Sequence, residues 1–243
     1  MALREEFEHS GNWLFRWRSY LPLVFILLFF IALTDFRYSV EGHAWEFFCM
    51  AISFSGLGIR MYAVGCAPRG TSGRNVKEQR ADVLNNTGIY SIVRHPLYLG
   101  NFVIWFGIIF SVKLWWFMAV ALLVFWLYYE RIMFAEEEFL RKKFGDEFLK
   151  WANATPAFFP TKFQNWRKPS LPFEWKNALR REYSGFFAII SVFSLLELVK
   201  SRIAEGEFVF DPIWVGIFLF GLAVYSTLIF LKKKTKFLDI QGR

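Results

Sequence analysis

Runs of apolar residues limit what this chain can fold into. Leu21–Leu33, extended by Tyr20 and Thr34, is the first and Phe47–Pro68 the second. Leu97–Ser111 and Leu114–Tyr129 form a pair joined at Lys113, and Phe186–Leu198 and Pro212–Leu231 complete six. A helix of about 20 mostly apolar residues crosses a bilayer. Backbone surrounded by lipid must bond to itself, so helices are the expected spanning form. Several runs are short, which leaves five spans as the alternative count. Aromatic residues make up 21% of the chain and crowd into these same runs, more than a soluble interior of 243 residues could hide. The expected fold is therefore all-α: a polytopic integral membrane bundle of about six transmembrane helices.

Charge sets the expected orientation. The net charge of +8 is unevenly spread. Cations gather in three places: between the second and third runs, from Glu130 to Ser184, and in the tail at Lys232, Lys233, Lys234 and Lys236. The opposite connections hold only Arg37, Lys113, Lys200 and Arg202. The positive-inside rule places both termini and both large loops in the cytosol. Because the cations flank membrane runs, anionic lipid headgroups are the expected partner, not nucleic acid. The first run lacks a small-residue cleavage site and reads as a retained anchor. Cys49 and Cys66 lie too far apart along one run to pair, and His9, His43 and His95 show no metal-ligand spacing. No metal is expected.

Chemistry concentrates between Pro68 and Pro160. Asn86-Thr87-Gly88 is a turn signal, and Pro96 suits the first turn of a helix, where its missing N–H costs nothing. Arg94 and His95 then stand at the mouth of the third span, with Tyr98 and Gly100 in its first turns. Unpaired N–H groups at such a helix start favour an anion. A cation followed by Pro and an apolar helix is also an ordinary membrane boundary. Further on, Leu140, Phe144, Phe148 and Trp151 form an apolar stripe at helical spacing. Glu136, Glu137 and Glu138 sit near the end of the fourth span, where carboxylates call for a partner or a function. Glu137–Arg141 and Glu138–Lys142 are i,i+4 pairs worth about a few tenths of a kcal/mol. Glu136 has Leu140 at that spacing and is the least explained of the three.

Gly88-x-Tyr90-x-x-Val93-Arg94-His95-Pro96-x-Tyr98-x-Gly100, followed by Glu136-Glu137-x-x-Leu140-x-x-x-Phe144-Gly145-x-Glu147-Phe148 and a closing Pro160, resembles the signature of the isoprenylcysteine carboxyl methyltransferase and phospholipid methyltransferase superfamily. The resemblance covers roughly residues 66–161. It implies a membrane-embedded enzyme that binds S-adenosylmethionine in a cytosolic pocket built on loops and an amphipathic helix, without a dinucleotide-binding fold. By the same resemblance Tyr90, His95, Pro96, Tyr98 and Gly100 line that pocket, and Glu136 and Glu137 hold the cofactor's polar parts. The chain divides accordingly into N-terminal helices (1–66), a methyltransferase core (67–161) and a connector with two C-terminal helices (162–243).

The substrate is read from departures and from one loop. Prenylcysteine enzymes usually place Arg before the Glu pair, where this chain has Ala135. Arg69-Gly70-Thr71-Ser72-Gly73-Arg74-Asn75-x-Lys77-Glu78-Gln79 could cradle a phosphate. It resembles the bacterial branch that methylates the 1-phosphate of lipid A, which implies an inner-membrane location. A phosphate oxygen is already anionic, so positioning dominates the chemistry and Arg74, Arg94 and Arg131 are the candidate cations to grip it. The alternatives are prenylcysteine carboxyl methylation, phosphatidylethanolamine N-methylation, a nicotinamide-dependent sterol-type reductase with a similar Arg-His-Pro-x-Tyr block, and a non-enzymatic transporter or scaffold.

Overall fold

A computed structural model describes residues 2–18, 20, 28–29, 31–32, 43–68 and 79–240. Its helices are α1 (Leu3–Trp17), α2 (Ala44–Gly65), α3 (Pro96–Phe110), α4 (Trp115–Phe144), α5 (Asp146–Ala154), α6 (Trp175–Glu205) and α7 (Pro212–Lys234). Among the described residues there is no β-strand beyond an isolated bridge between Gly88 and Arg167.

Local chemistry fixes the helix ends. Pro96 opens α3 and Pro212 opens α7, where Asp211 accepts hydrogen bonds from the N–H groups of Ile213 and Trp214. Gly206 at φ +78° closes α6 in the left-handed conformation that a Cβ disfavours. Gly145 at φ +51° breaks α4 from α5. Nothing between Tyr129 and Phe144 interrupts the helix, so α4 runs unbroken through the segment the sequence pattern separates into a span and an amphipathic helix. Its 30 residues measure about 45 Å, against about 30 Å for the hydrocarbon core. The Glu136–Phe144 end therefore projects beyond the apolar part.

Among the described residues α2, α4 and α7 are long and apolar enough to cross a membrane, with mean hydropathies of 1.5, 1.6 and 2.2. α3 is apolar but only 15 residues long. α6 begins at Trp175, eleven residues before its apolar run, and carries Glu197 and Lys200 within its length. The first run, Leu21–Leu33, lies outside the described residues except for Leu28, Phe29, Ile31 and Ala32, which are helical. The all-helical membrane class thus stands, with three spans by length and composition where six are expected.

α2 packs antiparallel against both α3 and α6, which barely touch each other. On the α3 side glycines let backbones meet. A Cβ on Gly56 would lie 2.6 Å from the carbonyl oxygen of Gly100 and 2.7 Å from the amide nitrogen of Ile104, and Ser53 donates to the Ile104 carbonyl at 2.9 Å. Gly58, two residues on, faces open space. Gly56→Ala should therefore cost about 1–3 kcal/mol by overpacking, while Gly58→Ala costs little. Equal thermal midpoints for the two variants in detergent would refute this reading of the α2–α3 crossing.

At the opposite end of the α2–α6 pair, Lys200 donates to Glu46 at 2.6 Å and lies 3.6 Å from Glu197, all three side chains being nearly buried. Two carboxylates, Glu46 and Glu197, are thus joined through one lysine.

Candidate active site

The site begins with a loop held from both sides. Gly88 adopts φ +59°, and its N–H donates to the Arg167 carbonyl at 2.9 Å. Ser91 accepts from the Arg167 N–H at 2.9 Å. The N–H groups of Arg94 and His95 donate to the carbonyls of Pro156 and Ala157 at 2.9 and 3.1 Å, and the Trp151 indole donates to the Tyr90 carbonyl at 2.9 Å. Residues 151–167 therefore serve as a brace for residues 88–95.

That brace brings the two sequence blocks together across 38 to 43 residues. The Tyr98 hydroxyl donates to Glu136 at 2.6 Å. His95 Nε2 lies 2.9 Å from Glu137 Oε1, and its Nδ1 lies 3.6 Å from Glu136 Oε2. Arg94 grips Glu137 through Nε at 2.8 Å and Nη2 at 3.1 Å, while its Nη1 donates to the carbonyls of Ala152 and Thr155. Burial pulls the His95 pKa down, yet the hydrogen bonds and charges of Glu136 and Glu137 carry it above its ordinary value. Burial and the nearby Glu136 push the Tyr90 phenol up, so it stays protonated.

A cleft of about 740 Å³ opens here. Tyr90, Arg94, His95, Pro96, Tyr98 and Glu136 line it. Glu137 does not, because Arg94 and His95 hold it behind the wall. Gly100 does not either: a Cβ there would lie 2.5 Å from Arg60 Cγ, so it serves the α2–α3 crossing. Arg131 stacks on the Phe7 ring at 3.4 Å, at the α1–α4 contact and away from the cleft. Arg74 and its glycine-rich loop lie outside the described residues. The helical pairs expected at Glu137–Arg141 and Glu138–Lys142 give way to others: Glu138 takes Arg4 at 2.6 Å and, one turn on, Arg141 at 3.7 Å, and Lys142 turns to Glu8.

Two cleft residues escape the motif reading. Arg60 of α2 binds Glu182 of α6 through Nε at 2.8 Å and Nη2 at 2.9 Å, and its Nη1 donates to Asn101 at 2.7 Å. Asn101 in turn donates to the Tyr129 hydroxyl at 3.0 Å. The signal available in the sequence is a lone arginine inside the second apolar run, a rare and costly placement.

The fold and the cleft define a helical membrane protein with a polar, partly enclosed chamber at one end of its bundle. Residues 69–147 match the phospholipid methyltransferase family, and over this segment the match supports the isoprenylcysteine and phospholipid methyltransferase superfamily. The chain is 39% identical over 107 residues to the nickel-cobalt-cadmium resistance protein NccN of Alcaligenes xylosoxydans xylosoxydans, covering 43% of this chain and 47% of that one. It is 35% identical over 85 residues to the cobalt-zinc-cadmium resistance protein CzcN of Cupriavidus metallidurans, covering 35% of this chain and 39% of that one. The matches thus span less than half the length of either curated relative. No solved structure matches the chain.

Proposed function

We propose that the protein is a membrane-embedded methyltransferase that uses S-adenosylmethionine to methylate a lipid headgroup. The observation that carries this is the meeting of Tyr90, His95, Tyr98 and Glu136 in one cleft whose far arm is apolar. The donor set suits the cofactor. A carboxylate can pair with its ammonium group, aromatic faces suit its adenine and its sulfonium cation, and the volume lies within the range of small-molecule sites. When bound, S-adenosylmethionine supplies an electrophilic methyl group.

The chain's own residues bind and orient. Glu136, fixed by the Tyr98 hydroxyl, offers the charged contact; Tyr90, His95 and Pro96 form the wall. Glu137 and Gly100 act one step back, the first by holding Arg94 and His95, the second by letting α2 approach. The proposed substrate group is a phosphate, with the 1-phosphate of lipid A as the specific reading. Its oxygen is anionic at neutral pH and needs no base, so the work of the site is alignment and exclusion of water. A methylated phosphate carries one negative charge less and attracts cationic peptides and divalent cations less strongly. The metal-resistance names of the two relatives fit that consequence. The accompanying topology is six spans, with both termini and the cleft on the cytosolic side of a bacterial inner membrane.

Incubation of the purified protein with methyl-labelled S-adenosylmethionine and a total lipid extract tests this. A labelled phospholipid or lipid A species on mass spectrometry is expected. Label confined to amines would move the substrate to phosphatidylethanolamine. Absence of any labelled lipid, with the protein folded, would sink the proposal.

A further inference from the structure

The cleft has a second arm, and α6, which lies outside the family-matched segment, forms one of its walls. Ile104, Trp105 and Ile108 of α3 face Ala188, Ile189 and Val192 of α6 across it. Ile108 and Ile189 also belong to the packed cluster with Phe193, Leu196 and Cys49, where the groove closes. From Leu97 to Ile108 is eleven residues, about 16 Å along a helix, or roughly half of the ~30 Å hydrocarbon core. The groove is one leaflet deep.

Arg60 and Glu182 stand where this apolar arm meets the polar chamber. Arg60 sits five residues from the end of α2, with its side chain 23% exposed and that of Glu182 5% exposed. Glu182, Asn101 and the Leu97 carbonyl take four of the five guanidinium hydrogens, leaving one on Nη2 among the described residues. The guanidinium is thus held rigidly at the boundary of a chamber lined by five arginines and two carboxylates.

We infer that Arg60, positioned by Glu182, is the anchor for the phosphate of a lipid headgroup, with one acyl chain of that lipid lying in the α3–α6 groove. The inference deepens the lipid-methylating reading and rests on it for the identity of the substrate. The fixed cation sets the height of the phosphate relative to the Glu136 end of the cleft. The groove's depth admits a chain from the same leaflet and stops at Ile108.

The competing explanation is that Arg60–Glu182 only staples α2 to α6. The double variant Arg60→Glu/Glu182→Arg separates the two, because it keeps the ion pair and moves the cation to the other helix. Native mass spectrometry of the full chain in detergent, titrated with dioleoyl phosphatidic acid, dioleoyl phosphatidylcholine or inorganic phosphate, supplies the readout beside S-adenosylmethionine affinity and thermal midpoint. The wild type is expected to hold phosphatidic acid most tightly and inorganic phosphate least. The double variant should keep the ion pair and its cofactor affinity, with a thermal midpoint lowered by the lost bonds to Asn101 and Leu97, but bind phosphatidic acid about tenfold or more weakly. A folded double variant with undiminished phosphatidic acid binding would overturn the anchor. So would wild-type binding of inorganic phosphate equal to that of phosphatidic acid, which would mark a free-anion site. If the double variant does not fold, Ala188→Phe decides, since Ala188 is exposed along the groove and away from the ion pair. Its phosphatidic acid binding should fall with stability and cofactor affinity unchanged, and undiminished binding would again overturn the anchor. A wild type that binds phosphatidic acid through Arg60 but not S-adenosylmethionine would overturn the methyltransferase reading and leave the anchor supported.

Discussion

Glu136→Gln is expected to weaken S-adenosylmethionine binding by about a hundredfold, the effect of losing one partly buried charged contact, while the thermal midpoint of the protein hardly moves. Glu136 reaches the cleft with 26% of its side chain exposed, and its partners are the Tyr98 hydroxyl at 2.6 Å, His95 Nδ1 at 3.6 Å and, at 3.9 Å, Arg18. A glutamine keeps the volume and still offers an oxygen to Tyr98, so packing survives and only the charge is lost. Isothermal titration of the purified variant against wild type, alongside a thermal melt, measures both quantities. Unchanged affinity would remove Glu136 from the cofactor's polar contacts, and with it the central contact of the proposed site. Tyr98→Phe should show a smaller loss, since it frees the carboxylate from its fixed position without removing the charge.

The separate behaviour of the three consecutive glutamates shows how much the sequence reveals and where it stops. Spacing alone singles out Glu136, because Leu140 occupies the position where a helical cation would stand, and this is the glutamate of the three that lines the cleft. The same spacing gives Glu137 and Glu138 local partners, and both find others in the structure. Their shortest contacts, with Arg94, His95 and Arg4, come from 43, 42 and 134 residues away, although Glu138 also lies 3.7 Å from Arg141. An i,i+4 pair contributes too little to compete with a bidentate guanidinium contact at low exposure. Arg60 and Glu182 escape for the same reason, being 122 residues apart on helices whose pairing no local pattern encodes. Helix chemistry was legible at Pro96 and Pro212, whereas the break at Gly145 was not, because Leu140, Phe144, Phe148 and Trp151 keep one helical spacing across it. The start of α6 was not, because its first eleven residues carry charges that hide a continuous helix from any reading based on apolarity.

Glu137→Ala is expected to be the most destabilising single change in the cleft wall, at about 3 kcal/mol. It would leave the Arg94 guanidinium, 15% exposed, with only the Ala152 and Thr155 carbonyls, and would take the partner from His95 Nε2. A charge left unpaired in a poorly hydrated site costs more than the pair itself contributes, so Arg94→Ala should cost a comparable amount. The wild type should also lose stability as the pH rises. The imidazole of His95 is held above its ordinary value of 6.5 by the two carboxylates, so the folded state binds its proton more tightly than the unfolded chain does. The contribution of that charge is complete below about pH 6.5 and disappears as the pH climbs through the raised folded value. Thermal melts from about pH 6 to 9 should therefore show a midpoint that declines in the wild type and is flatter in His95→Asn. Parallel profiles for the two would mean that His95 is neutral in the fold. Glu137 would then hold Arg94 alone, and Glu137→Ala would cost little more than the loss of that one contact.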